Sequence, residues 1–264
     1  MSTTDIHSGT SSAGPGLGPA APPTQRVLTQ ARFELGTLLR NGEQLLVSII
    51  LPALVLVGLR ATTTPSLGPG DRMDVAVPGV LALAVISSAF TSQAIATGFD
   101  RRYGVLRYLG VTPLGRGGLI AAKILATLAV IAIQVTVLGG LGLALGWDPR
   151  GQGILPGLVF LGLGTWAFVA LALLVGGTLR AEAVLALANL LWVLFLAVGG
   201  VIVPRGQLPD ALAGPVALLP SAGLADGLRS AFVAGTLNVQ AALVVLGWAV
   251  VATFAAARLF RFDD

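Results

Sequence analysis

Six apolar runs, each long or nearly long enough to cross a bilayer, constrain this 264-residue chain more than anything else in it. They cover residues 44–60, 75–98, 118–146, 153–178, 183–203 and 238–257. A helix needs about 20 mostly apolar residues to cross a ~30 Å hydrocarbon core. Lipid offers no partner to open backbone groups, so such runs satisfy themselves as helices. The expected fold is all-α, a polytopic membrane protein with six transmembrane helices. Composition agrees: charged residues are 11% of the chain and mean hydropathy is +0.88, whereas soluble domains carry about 25% charged residues. The third and fourth runs exceed the core and tilt or extend beyond it. The first is the shortest and ends at Arg60, which can snorkel to the interface.

The segments between the runs have their own signatures. Residues 1–23 are rich in Ser, Thr, Gly and Pro without an apolar stretch, and read as a disordered cytoplasmic tail. Residues 24–41 read as an amphipathic helix lying along the interface. Val27, Leu28, Ala31, Leu35, Leu38 and Leu39 share one face, and Arg26, Gln30, Glu34, Thr37 and Asn41 lie opposite. Arg32 and Arg40 add charge to this helix, and Phe33 breaks its pattern. Residues 204–237 are too apolar for a free loop and too broken by Pro204, Pro209, Pro215 and Pro220 to span. They are expected as one or two short re-entrant or interfacial helices, since such backbone is tolerated at membrane depth when buried or lining a cavity. Gly142 with Gly146, and Gly153 with Gly157, have the spacing of close helix packing.

Charge sets the orientation. With both termini cytoplasmic, eleven basic residues lie inside (Arg26, Arg32, Arg40, Arg101, Arg102, Arg107, Arg116, Lys123, Arg180, Arg258, Arg261) and five outside (Arg60, Arg72, Arg150, Arg205, Arg229). The net charge of +4 is accounted for by these flanks, so no nucleic-acid partner is expected. Lys123 is the only lysine. With the abundance of Ala, Gly, Val and Leu, that points to a GC-rich bacterial genome and the bacterial inner membrane.

Chemistry is sparse. The chain has no Cys, and its one His, His7, lies in the tail, which excludes thiol-held metals and Ser/His catalysis. Gly110–Gly117 has the glycine spacing of a phosphate loop but lacks its Lys and hydroxyl residue. No enzyme activity and no cofactor are expected. Mid-membrane polar residues are Gln93, Gln134, Asn189 and scattered Ser and Thr. They serve as inter-helix hydrogen-bonding groups or line a pathway. Ion-coupled transport needs ionisable groups at depth, and there are almost none, so energy for transport must enter elsewhere.

The stretch that looks like a docking surface for something on the cytoplasmic side is the basic wedge between the second and third runs, GFDRRYGVLRYLGVTPLGRGGLIAAK. Residues 100–112 are expected as one short helix with Tyr103, Leu106 and Leu109 as an apolar stripe. Asp100, Arg101, Arg102 and Arg107 surround the stripe, Gly104 lies mid-helix, and Thr112-Pro113 ends it. On these residues alone it fits a groove on a partner or anionic lipid headgroups.

This segment resembles the cytoplasmic signature of ABC type-2 exporter permeases of the daunorubicin-resistance type. That signature is a charged cluster before Gly, a hydrophobic helix, Leu-x-x-[Thr/Ser]-Pro, a basic residue and a later Lys. The matching positions are Asp100, Arg101, Arg102, Gly104, Leu106, Leu109, Thr112, Pro113, Arg116 and Lys123. The chain departs from the pattern at Arg101 and Arg102, where many relatives have a Glu-rich cluster, and at Val105, where they have Thr or Ser. The resemblance implies a type-2 transmembrane domain over 24–264 that works with a second permease, the same or a homologous chain, and two cytoplasmic ABC ATPase subunits. ATP and magnesium would sit on the ATPases, residues 100–112 would be the coupling helix, and 24–41 the connecting helix. The substrate class would be amphipathic or lipid-like: a drug, polyketide, lipid or glycan. A secondary transporter or channel without ATPase, and a non-transporting scaffold, remain as alternatives on the sequence.

Overall fold

The computed structural model describes residues 21–68, 70–110 and 112–260, without the side chains of Glu43, Gln44, Leu45, Val47 and Leu109. The tail expected over 1–23 lies outside the described residues up to residue 20, as do Val111 of the wedge and Arg261. The described residues form helices and connections, with no strand.

Pro23–Arg40 is α1, with Pro23 at the first helical position, where a missing N–H costs nothing. Gly42–Ala61 is α2, interrupted by Pro52. Arg72–Arg102 forms one long helix, α3, whose middle stretch Ile86–Ser92 is π-helical. Asp71 starts α3 by accepting the Met73 N–H at 2.7 Å. Val105–Gly110 is α4 and Gly115–Ala144 is α5. Gly151–Gly176 is α6, Ala181–Ala197 is α7, Asp210–Val216 is α8, Pro220–Ala234 is α9 and Val239–Leu259 is α10.

Among the described residues, α3, α5, α6 and α10 are long and apolar enough to cross a membrane, and a fifth span results if the bent pair α8–α9 is one broken crossing. The first expected run, 44–60, lies within the helix Gly42–Ala61, and one of the six expected spans is shorter than its apolar run. The fifth stops at Ala197, because the chain leaves helical geometry at Val198 and turns at Gly200, whose φ is +75°. The Pro-broken 204–237 segment is two helices meeting at 94°. Pro209 precedes the first turn of α8, Pro215 sits inside that helix, and Pro220 opens α9.

The bundle is organised around α3. Its most apolar stretch is 78% buried inside the protein, against 28% for α10 and 33% for α5, so α3 is the central post and the others face lipid. Phe90 in the π-helical stretch meets Phe168 of α6 and Phe195 of α7 edge to face, at 6.3 and 6.1 Å. At the end that carries residues 61–72 and 144–153, α5 closes on a Schellman motif. Gly146 adopts φ +97°, Trp147 N–H reaches the Gly142 carbonyl at 2.9 Å and Gly146 N–H reaches Leu143 at 3.1 Å. Gly146 is therefore a helix stop and not half of a packing pair. Gly153 and Gly157 do receive a neighbour: Cβ atoms there would lie 2.0 Å from the Ala231 carbonyl oxygen and 2.6 Å from the Phe232 ring.

Gly153→Ala should therefore lower stability by about 1–3 kcal/mol, because the obstructing atom is backbone and cannot rotate away. Gly162→Ala, on the same helix with no atom within 4 Å of its Cβ, should be neutral or slightly stabilising. Thermal unfolding of the detergent-solubilised protein compares the two.

Candidate functional site

One end of the bundle gathers α1, α4, the α6–α7 turn and the end of α10. The helix expected over 100–112 is split there. Asp100, Arg101 and Arg102 complete α3, and Gly104, with φ +74°, turns the chain through a left-handed step that residues with a Cβ rarely take. Its N–H closes on the Arg101 carbonyl at 2.9 Å, and α4 follows as a six-residue helix. The expected stripe of Tyr103, Leu106 and Leu109 is not one surface. Leu106 is fully buried, whereas Tyr103 and Tyr108 are 72% and 77% exposed; the side chain of Leu109 lies outside the described residues. The arginines before the turn are ties within the chain. Arg101 is buried and donates to the Leu179 carbonyl, and Arg102 pairs with Glu182. What α4 leaves on the surface is a knob of Tyr103, Val105, Arg107 and Tyr108. Thr112 and Pro113 are exposed beyond it.

Helix α1 lies along α5 beside this knob. Arg32 and Arg40 point outward, but Glu34, expected on the polar face, is turned inward. Its Oε2 accepts from Lys123 Nζ at 2.9 Å, with side-chain exposures of 13% and 2%. The reason is electrostatic: the ammonium of Lys123, inside the apolar start of α5, needs a counter-charge to be kept there. Gln30 supports Glu34 at 3.0 Å, and Asp100 lies within electrostatic reach of both charges. Arg26 donates to the Pro113 carbonyl at 2.6 Å, tying the start of α1 to the end of the wedge.

At mid-bundle, a groove of about 300 Å³ opens between α2, the π-helical stretch of α3, and α7. Asn189 and Trp192 of α7 border it, facing Ser48 and Pro52 of α2 and Ser87, Thr91 and Ser92 of α3. A narrower cleft beside it shares Ser48 and Ser92 and is walled by Ser88, Gln93 and Thr127. The three polar residues singled out at membrane depth take different places. Asn189 is exposed on the groove. Gln93 is buried at the cleft with its amide on Thr127 Oγ1 at 3.1 Å. Gln134 is fully buried, its amide 2.8 Å from both Ser48 Oγ and Ser88 Oγ, and joins three helices. The hydroxyls around them were legible only as an unusual density, SSAFTSQ over 87–93, inside an apolar run.

At the opposite end from α4, one buried side chain organises the broken segment. Arg229 of α9 donates to the carbonyls of Gly200 at 2.7 Å and Ile202 at 3.3 Å, and to Val201. These are the groups left open where α7 unwinds. Asp226 holds Arg229 from one side and pairs with Arg205 on the other. Gly79 of α3 fits against this knot, since a Cβ there would lie 2.4 Å from the Val201 oxygen. The three-residue spacing of Asp226 and Arg229 puts them on one helix face, but nothing in the sequence announced that Arg205 joins them. Pro204 sits before the short turn 205–207, at the edge of the same knot. Among the described residues no group of three or more metal-ligating side chains is present.

The family model described as ABC-2 type transporter matches residues 26–233 of this chain. No curated protein matches it.

Lys123→Met should destabilise the protein by about 3 kcal/mol, since it leaves Glu34 buried without its partner. Glu34→Gln combined with Lys123→Met should recover most of that loss, and melting curves of the wild type, the two single variants and the double variant give the coupling.

Proposed function

This chain belongs to the ABC-2 type transporter family, as its membrane permease component, and we propose that it is one of two permease subunits of an exporter powered by two separate cytoplasmic ATPases. The permease domain of this family lacks the ATPase, and permeases of this kind generally pair with ABC ATPase subunits. The finer reading is a daunorubicin-resistance-type exporter of the bacterial inner membrane, with ATP and magnesium on the partner chains. It pairs with a second copy or a homologous permease and moves an amphipathic or lipid-like substrate. In this reading α2 and α7 complete six crossings and both termini are cytoplasmic, as the excess of basic residues at that end favours.

The observation that carries the proposal is the exposed knob of Tyr103, Val105, Arg107 and Tyr108, held in place from beneath. Buried Leu106 anchors α4 in the bundle, and Arg101 and Arg102 brace the end of α3 against the α6–α7 turn. A braced helix with aromatic and basic side chains outward is suited to a groove on a partner. ATP-driven closure of the ATPases would push on this knob and on α1 together. The two are linked through Arg26 to Pro113, and α1 is tied to α5 through Glu34 and Lys123.

The stroke has a conductor. Helix α3 runs unbroken for 31 residues from Arg72 to Arg102, about 46 Å at 1.5 Å per residue. Its far end touches the outer knot, where Arg229 Nε lies 3.5 Å from the Val75 carbonyl. A shift of α3 driven at the knob is therefore felt where α8 and α9 meet, which supports their reading as an outer gate with Pro204, Pro209, Pro215 and Pro220 shaping its bends.

Tyr108→Glu and Tyr103→Glu should weaken recovery of the ATPase subunit with the tagged permease by about tenfold or more. The melting temperature should stay at the wild-type value, because both side chains are outside the core. Undiminished association in both variants would remove the docking role from α4. Leu106 is no longer a useful probe for this, since a charge there would disrupt the bundle itself.

A further inference from the structure

The groove between α2, α3 and α7 carries more specific chemistry than its position suggests. We infer that it binds the head of an uncharged amphiphile, one bearing hydroxyl or carbonyl groups, and rejects anionic and cationic head groups. The inference rests on the permease reading, since a groove at this depth becomes a substrate site only in a chain that moves substrate.

Three observations carry it. First, the groove is mostly apolar and its polar groups are uncharged: hydroxyls from Ser48, Ser87, Thr91 and Ser92 and the amide of Asn189, set among Leu51, Pro52 and Ile95. Hydroxyls and amides both donate and accept, so they match a neutral head of either polarity. They cannot neutralise a phosphate or an ammonium, whose unpaired charge is expensive away from water.

Second, two of the buried polar side-chain atoms that have no hydrogen-bond partner among the described residues belong to residues lining this region: Thr91 Oγ1 at the groove and Gln93 Oε1 at the adjoining cleft. Buried polar groups are nearly always paired, so an open hydroxyl at the groove suits a ligand that offers a hydrogen-bonding group of its own. Thr91 lies in the π-helical stretch. On the facing helix Pro52 removes the N–H that would have met the Ser48 carbonyl, and Gln134 approaches that carbonyl at 3.4 Å instead. Irregular helix at both walls is a known mark of functional positions.

Third, the size and edges fit an amphiphile. About 300 Å³ holds roughly ten water-sized groups, the scale of a glycerol or small ring head. The rim continues into the exposed apolar faces of α2 and α7, where Leu51, Leu54, Leu190 and Val193 are open to a chain. Trp192 is fixed at the wall by its indole N–H on Ser87 Oγ at 2.8 Å, which leaves the ring as an apolar floor.

The test uses the full-length chain with its co-purified ATPase in phosphatidylcholine nanodiscs, photolabelled with a diazirine-bearing monoacylglycerol. Competitors are 1-monolauroylglycerol, lauroyl lysophosphatidate and dodecyltrimethylammonium. The expected result is labelling concentrated on residues 48–52, 87–95 and 189–192. Competition by the neutral lipid should need a concentration about tenfold lower than by either charged one. Thr91→Val, which keeps the shape and removes the hydroxyl, should weaken the neutral competitor about five- to tenfold. Thr91→Ser, which keeps the hydroxyl, should restore it. Labelling spread over the lipid-facing helices, equal competition by the charged lipids, or an unchanged Thr91→Val would overturn the inference. Any of these in a chain that still recruits an ATPase leaves the exporter reading standing. Selective labelling in a chain that recruits none supports the groove chemistry and sinks the exporter reading.

Discussion

A helix that stops leaves carbonyl oxygens with no partner of its own to accept from, and the architecture of this protein depends on how each such stop is closed. Helix α5 closes by turning back on itself at Gly146, which needs no outside group. The α6–α7 turn recruits Arg101 from α3, whose guanidinium reaches Leu179. The end of α7 recruits Arg229 from α9, which serves Gly200, Val201 and Ile202 together. The last two closures bring a side chain from another helix, so satisfying the backbone there also helps fix the tertiary arrangement.

Charge follows the same logic. Of the basic residues that first read as orientation signals, several have inward duties. Lys123 pairs with Glu34, and Arg205 and Arg229 share Asp226, while Arg102 pairs with Glu182 at the surface. Positive flanks and internal ties are not competing descriptions, because a guanidinium near the interface can snorkel with its stem and bond a carbonyl with its head. This dual use leaves a small free surface at the knob, made mostly of aromatic rings, and that economy is what singles out α4 as a contact.

The helix that connects the two ends is also the most buried. A post surrounded on all sides cannot bend gradually, since close-packed interiors respond as rigid units. Motion applied at one end of α3 is therefore delivered at the other. The π-helical stretch at Ile86–Ser92 lies at the groove between α2, α3 and α7.

Much of this was legible in the residues alone. The apolar runs determined that the chain is helical and crosses a membrane, because length against bilayer thickness is a one-dimensional property. Proline positions determined that 204–237 breaks, because a missing N–H acts locally. What only the tertiary structure decided was which way things face. Period-based reading put Glu34 on the outer face and grouped Tyr103 with Leu106, and both failed for a physical reason. The first ignored a lysine 89 positions away that needed a counter-charge; the second ignored a left-handed glycine that rotates everything after it. The groove and the Arg229 knot were equally out of reach, since each is made by residues from separate helices whose rotation about their axes is set by packing and by no local pattern.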